Sequence, residues 1–228
     1  MPRFQVLNNT ADTDTIRQMC SEMDRAMITE SADLGRYAEH DAPATRRYRI
    51  TLQSNDYPTA HSWCQHTLHT LCPNEAVSVI AYVRQTQPTG LHTDHSLNML
   101  TGHTLILPLR DSASGDSTIV FDVDSRGDGS SDSVASRMQE LAREWSARPR
   151  LHHDPLTVSA LSHCDAYALH LPILGRFHYR VGDAVIFHGH LLHCSNNWSA
   201  LRPHRQHRDY LLIHTRPQDS DCYVNELL

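Results

Sequence analysis

Gly182-Asp183-Ala184-Val185-Ile186-Phe187-His188-Gly189-His190-Leu191-Leu192-His193 is the stretch on which the fold turns, read together with Leu91-His92-Thr93-Asp94 far upstream. Gly-Asp marks a turn, and the β-branched and aromatic run after it marks a buried strand. The upstream stretch sets a histidine and a carboxylate two residues apart. On an extended chain, residues i and i+2 share a face. A His-x-Asp at a strand edge therefore chelates one ion, and its third ligand must come from a strand distant in sequence and adjacent in space. His193 closes the downstream stretch and fits that place.

Working outward, Val77 to Val83, His103 to Leu109, Ser117 to Val123, Ala166 to Ile173, Ala184 to Phe187 and Asp209 to Thr215 are short runs rich in β-branched and aromatic residues. Each is bounded by Gly, Pro, Asp or Ser, so each is predicted as a strand. Upstream, Ile16, Met19, Cys20, Met23 and Met27 recur at three- and four-residue spacing. That predicts an amphipathic helix over 12–30, with Thr10 or Asp12 as its N-cap. A second helix follows Pro58, carrying Trp63, His66, Leu68 and Leu71. Asp124-Ser125-Arg126-Gly127-Asp128-Gly129-Ser130-Ser131-Asp132 is a surface loop without the spaced ligands of a calcium site. Val134 to Trp145 after it is helical, with Met138, Leu141 and Trp145 on one side. Helices first and then many short strands point to helices buttressing an antiparallel β-sandwich or jelly roll. The expected organisation is one domain over 1–228: a helical buttress at 1–75, a β core at 76–216 with an insertion at about 124–158, and a tail at 217–228.

Composition excludes several classes. A chain of 228 residues buries a sufficient core without disulfides. Its net charge of −6 weighs against a nucleic-acid binder, although Arg46, Arg47 and Arg49 form a small basic cluster. Cys20, Cys64, Cys72, Cys164, Cys194 and Cys222 include no CxxC pair and read as free thiols of a reducing compartment. No apolar run is long enough to span a membrane, and Met1-Pro2-Arg3-Phe4-Gln5 has no apolar signal core, so a cytoplasmic location is expected.

Two neutral imidazoles and one carboxylate on one face are the ligand set of a mononuclear non-haem Fe(II) site with open positions. Eighteen histidines generate competitors. His163-Cys164-Asp165 is also a His-x-Asp, but it follows most of the strands, and four core strands with turns would barely fit between it and His193. His188 and His190 compete with His193. His66, His69, His152, His153 and His170 read as hydrogen-bonded or surface residues.

With these motifs in order, residues 77–215 resemble the Fe(II)/2-oxoglutarate-dependent dioxygenase superfamily. The resemblance rests on Val77-Ser78-Val79-Ile80-Ala81-Tyr82 leading to His92-Thr93-Asp94, on Gly182 to Phe187 leading to Leu191-Leu192-His193, and on Arg208-Asp209-Tyr210-Leu211-Leu212-Ile213 as a last barrel strand. It implies a double-stranded β-helix, a jelly-roll and cupin-like core, with His92, Asp94 and His193 as metal and catalytic ligands. It implies Fe(II), 2-oxoglutarate and O₂ as cofactor and cosubstrates, with release of succinate and CO₂. In related halogenases a small residue replaces the carboxylate, so Asp94 points to hydroxylation or a related oxidation.

2-Oxoglutarate also needs a cation for its far carboxylate, and the planar fork of arginine suits it. Arg208, which opens a strand, is preferred to Arg205, with Arg202 read as loop. Tyr210 shares the Arg208 face, and Tyr82 and Asn98 are further candidates for the pocket. Trp63, Trp145 and Trp198 read as packing residues. The expected partner is a small polar metabolite or an amino-acid-like substrate, with no membrane. A nucleobase or peptidyl-residue oxygenase, a non-oxygenase cupin-like metal-binding protein and a zinc hydrolase are the alternatives. The sequence leaves the oligomeric state open.

Overall fold

In the computed structural model, residues 2–30, 47–51, 55–94, 102–110, 115–126, 134–198 and 207–218 are described. The N-terminal helix, α1 (Thr13–Glu30), starts where Asp12 accepts the Thr15 N–H at 2.7 Å, a side-chain cap on an otherwise orphaned donor. Its Ile16, Met19 and Met23 stripe is buried. Helix α2 (Pro58–Leu71) has proline in its first turn and buries Ala60, Trp63, Cys64 and Leu68 against the same cluster. The two helices are joined by a buried carboxylate. Glu22 of α1 accepts the Thr59 N–H at 2.9 Å and the Ala60 N–H at 3.3 Å, so an anion sits at the positive end of α2.

These helices lie against the larger of two antiparallel sheets. Its strands are β1 (Phe4–Leu7), β2 (Arg47–Thr51), β3 (Glu75–Gln85), β4 (His103–Pro108), β7 (Ala184–His188) and β9 (Arg208–Pro217), in the order β1-β7-β4-β9-β3-β2. The smaller sheet has the order β6-β5-β8, from β5 (Ser117–Asp124), β6 (Ile173–His178) and β8 (Leu191–Ser195). His92 extends it by an antiparallel bridge to His193. Side-chain alternation divides the interior. Ile80, Tyr82, Leu105, Ile186, Leu211 and Ile213 face the helices, whereas Ala81, Val83, Ile106, Val120, Val185 and Tyr210 fill the space between the sheets. Ile119, Phe121, Leu192 and Cys194 pack on the outside of the smaller sheet. They meet α3 (Val134–Ser146), α4 (Pro155–Ala160) and a 3₁₀ turn at Ala166–His170.

Gly182 has φ +85°, and a Cβ there would lie 2.8 Å from the Ala11 carbonyl oxygen. Only glycine takes both the left-handed backbone and the close approach. Its carbonyl accepts the Thr10 N–H at 2.7 Å, and the Asp183 carboxylate accepts the Asn9 N–H at 2.8 Å. The Gly-Asp turn thereby pins the chain entering α1.

Four readings of the sequence differ from the structure. Ala166 to Ile173 is not a strand: it is mostly the 3₁₀ turn, and β6 begins at Ile173. The helical stretch between β5 and β6 continues past 158 through α4 and that turn. Residues 1–75 are not purely helical, because β1 pairs with β7 and β2 with β3. Leu191–Ser195 is a strand in its own right. Most of the Ser/Gly/Asp stretch and the end of the chain from 219 lie outside the described residues. No helix among the described residues is long and apolar enough to cross a membrane.

Candidate metal centre and cosubstrate pocket

His92, Asp94 and His193 converge, with their ligand atoms all within 4.8 Å of one another. His193 Nε2 lies 3.2 Å from Asp94 Oδ2, and His92 Nε2 lies 3.8 Å from Asp94 Oδ1. Around a first-row divalent ion with bonds of about 2.1 Å, adjacent ligand atoms stand roughly 3 Å apart. The backbone produces this approach. His92 and His193 exchange both N–H···O bonds at 3.0 Å, and the Asp94 N–H donates to the Gly189 carbonyl at 3.3 Å.

Their tautomers follow from their partners. His92 Nδ1 is 2.8 Å from the Gly90 carbonyl oxygen, and His193 Nδ1 is 3.0 Å from that of Leu191. A carbonyl only accepts, so each Nδ1 carries the proton and each Nε2 presents its lone pair. A backbone partner on the far nitrogen is the arrangement that orients a metal-binding imidazole. With no metal bound, burial pushes the Asp94 carboxyl up, but the positive charge of His193, His214 and His92 in their protonated forms, with a hydrogen bond from His193, outweighs it and holds the group well below the usual carboxylate range; a metal ion takes the place of those protons. Asp94 Oδ2 also accepts the Thr104 hydroxyl at 2.8 Å, and Thr104 in turn is 3.1 Å from His214 Nδ1. The hydroxyl proton is committed to Asp94, so His214 donates to Thr104.

From this cluster a pocket runs between the sheets past Thr118, Ser195 and Tyr210 to Arg208. Arg208 is 2% exposed. Its Nη2 donates to Gln85 Oε1 at 2.7 Å, and its guanidinium lies 4.6 Å from the Tyr179 ring centre. Among the described residues, its buried Nε and Nη1 have no hydrogen-bond partner. A buried cation with two uncommitted donors is costly, which favours an anionic occupant. A carboxylate is the anion whose two oxygens match the open edge of a guanidinium. Fe(II), Asp94, Arg208 and a dicarboxylate dianion together balance in charge. The neighbouring Asp209 points the opposite way and is gripped by Arg84 at 2.8 and 2.9 Å and by Arg110 at 2.8 Å. That outer anchor fixes the phase of β9 and sends Arg208 inward.

The other predicted residues fall as follows. Tyr210 lines the pocket, and its hydroxyl is 3.4 Å from Gln85 Oε1. Tyr82 does not reach it, which corrects the expectation of a cosubstrate contact. It is fully buried on the helix side of β3 and donates to Glu22 at 2.7 Å, because Ala81, Val83 and Gln85 take the inward positions. Arg205, Arg202 and Asn98 lie outside the described residues. His163 is 3.0 Å from the Thr89 carbonyl oxygen, Asp165 is exposed, and the pair lies on no strand. His188 packs on His103 with ring centres 4.3 Å apart, and His190 approaches Asp124 at 3.4 Å. Trp198 is fully buried, 5.5 Å from the Arg208 guanidinium.

Gln85, Thr104, Thr118, Tyr179 and His214 were not singled out from the sequence. A signal existed for His214: counting in twos from Arg208 passes Tyr210 and Leu212 and reaches it. Gln85 stands opposite Arg208 in the β3–β9 register, which only the pairing reveals.

The sequence matches no protein-family model, and no curated protein sequence matches it. Solved structures do resemble it. AviO1 from Streptomyces viridochromogenes has a TM-score of 0.59 at 13% identity, over 96% of this chain and 91% of that one. HygX from Streptomyces hygroscopicus, with nickel and 2-oxoglutarate bound, has a TM-score of 0.52 at 15% identity, over 95% and 83%. SnoK, a non-haem α-ketoglutarate-dependent carbocyclase from nogalamycin biosynthesis, has a TM-score of 0.52 at 12% identity, over 99% and 87%. At such identities the likeness speaks for the fold, and the chain shares the double-stranded β-helix fold of these proteins.

Proposed function

We propose that the protein is an Fe(II)- and 2-oxoglutarate-dependent oxygenase, with His92, Asp94 and His193 as metal ligands and Arg208 as the anchor of 2-oxoglutarate. The observation that carries this reading is the buried Arg208 guanidinium, with Nε and Nη1 uncommitted among the described residues, in the same pocket as the convergent triad. A bare metal-binding cupin or a zinc hydrolase has no use for such a cation. Fe(II) with 2-oxoglutarate supplies O₂ activation coupled to decarboxylation of the keto acid, yielding succinate and CO₂.

The chain's residues hold and orient. His92 and His193 present neutral Nε2 atoms because their Nδ1 protons are committed to backbone carbonyls. Thr104 fixes one oxygen of Asp94. Gln85 steadies Arg208, and its amide is itself held by the Gln87 carbonyl at 2.6 Å. Ile106 and Leu212 keep the wall of the pocket apolar, which strengthens the charge pairing inside it.

The substrate we infer is a small polar metabolite or an amino-acid-like molecule, and the outcome hydroxylation. Asp94 occupies the third protein position, which leaves no vacancy there for halide. A neighbour of the same fold, HygX, has been solved with hygromycin B bound, at a TM-score of 0.50, which supports a small-molecule substrate. SnoK is a carbocyclase, so the same fold also carries oxidations other than hydroxylation. The test is succinate formation from 2-oxoglutarate with Fe(II) and O₂ over a panel of polar metabolites. Succinate release above that of His193→Ala is expected, rising with the correct substrate. Release equal to that of the variant with every compound would overturn the assignment.

A further inference from the structure

A second convergence of ligand-type side chains lies on the helix side of the larger sheet. Cys72 caps the C-terminus of α2, Glu75 opens β3 and His103 opens β4, and their ligand atoms lie within 4.8 Å of one another. His103 Nδ1 is 2.8 and 3.0 Å from the two Glu75 oxygens and 3.7 Å from Cys72 Sγ. We propose that Cys72, Glu75 and His103 form a second metal site that takes a thiophilic divalent ion of the zinc class.

Geometry separates this from a nucleophilic triad. A Cys–His–carboxylate relay needs the thiol on one ring nitrogen and the carboxylate on the other. Here both meet Nδ1, which is the convergence a metal ion uses. Tetrahedral zinc with Zn–S of about 2.3 Å and Zn–N of about 2.0 Å sets sulfur and nitrogen roughly 3.5 Å apart, close to the spacing observed. Thiolate, imidazole and carboxylate together also suit zinc better than a hard cation.

The surroundings are built for it. His103 is buried, and its Nε2 has no hydrogen-bond partner among the described residues. When Nδ1 binds the ion, the ring proton moves to Nε2, which is free to take it. Thr215 donates its hydroxyl to Glu75 and fixes that side chain. Gly102 makes room: a Cβ there would stand 2.5 Å from Glu75 Oε2. Burial, and then the Glu75 carboxylate, push the Cys72 thiol up to about 12, so the metal-free cysteine is a protonated, unreactive thiol. Binding would expel its proton to solvent and leave the thiolate on the ion. The site also touches the candidate metal centre through the backbone. The Gly189 N–H donates to the Gly102 carbonyl at 3.2 Å, and the Gly189 carbonyl accepts from the Asp94 N–H. An ion at Cys72 would tie α2, β3 and β4 together two hydrogen bonds from Asp94.

The test uses Co(II) and Zn(II) on the full chain freed of metal. The double variant His92→Ala/His193→Ala, which lacks the first site, should bind one equivalent of Co(II) with a near-ultraviolet thiolate-to-metal band that Zn(II) abolishes. Adding Cys72→Ser should remove the band. Adding Glu75→Gln instead, which keeps the thiol and the fold, should weaken binding at least tenfold. Wild type should hold two equivalents of Zn(II), and Cys72→Ser one. No thiolate band in the double variant, or equal zinc retention with and without Cys72 and Glu75, would overturn the proposal.

Discussion

Arg208→Met removes the charge, both uncommitted N–H donors and the Nη2 bond to Gln85, and leaves an apolar side chain that reaches as far as the Nε position. In the wild type those donors, Nε and Nη1, are buried beside the pocket. Charge-assisted hydrogen bonds contribute about 1.5–3 kcal/mol each, and truncating one partner of a buried charge pair costs about 2–5 kcal/mol. A loss of about 3–5 kcal/mol, at about 1.4 kcal/mol per decade, weakens 2-oxoglutarate binding roughly 100- to 4,000-fold. The metal ligands are untouched, so Fe(II) affinity stays the same. The fold should survive too, since an apolar side chain avoids the cost of burying a cation. The assay is anaerobic thermal unfolding with Fe(II). At a hundred times its Kd, 2-oxoglutarate stabilises the wild type by about 2.7 kcal/mol, or about 5–10 °C for a chain of this size. The variant should show almost no shift at that concentration. Pyruvate isolates the effect, because it keeps the keto acid and lacks the far carboxylate: its affinity should be equal in the two proteins. An unchanged 2-oxoglutarate affinity, or an equal loss for pyruvate, would refute the reasoning and return the anchor to Arg205.

His92→Ala, Asp94→Ala and His193→Ala should each abolish stoichiometric Fe(II) binding in equilibrium dialysis, and retention by all three would remove the triad from consideration. Tyr82→Phe should lower stability by about 1–3 kcal/mol through the lost bond to buried Glu22, read as a fall in Tm, with 2-oxoglutarate affinity unchanged. In the metal-free protein, burial and the adjacent His103 and His190 push His188 down to about 4, with Arg3 acting in the same sense and Glu75 opposing. The unfolded chain then binds the His188 proton more readily, so this contribution to stability is whole above about pH 6.5 and fades as pH falls towards 4. His188→Asn should flatten that part of the pH–stability curve, and an unchanged slope would show that His188 does not carry it.

The convergence of His92, Asp94 and His193 was legible because their order along the chain is unusual. A His-x-Asp heads a strand series that returns to Gly182-Asp183 and His193, and the structure brings these three residues together. What the sequence concealed was phase. Tyr82 and Arg208 both sit on strands, but alternation alone does not say which parity faces inward. The outer ion pairs of Asp209 decide it for β9, and Glu22 accepts Tyr82 on the outer face of β3. Short edges were also hidden. Phe4-Gln5-Val6-Leu7 is too brief to register as a periodic run, and Arg47-Tyr48-Arg49-Ile50-Thr51 reads as a basic cluster until β3 is found beside it. The aromatic and aliphatic content of Ala166-Tyr167-Ala168-Leu169-His170 suggested a strand, whereas those side chains pack as a 3₁₀ turn against α3. The Cys72–Glu75–His103 convergence gave no signal, since its members come from three element ends that only the tertiary fold assembles.

The absorbance spectrum of the anaerobic protein with Fe(II) and 2-oxoglutarate tests the central claim most directly. A visible metal-to-ligand charge-transfer band should appear with both added, be absent with either alone, disappear in His193→Ala, and need far more 2-oxoglutarate in Arg208→Met. No band in wild type at saturating Fe(II) and 2-oxoglutarate, or an undiminished band in His193→Ala, would contradict the account.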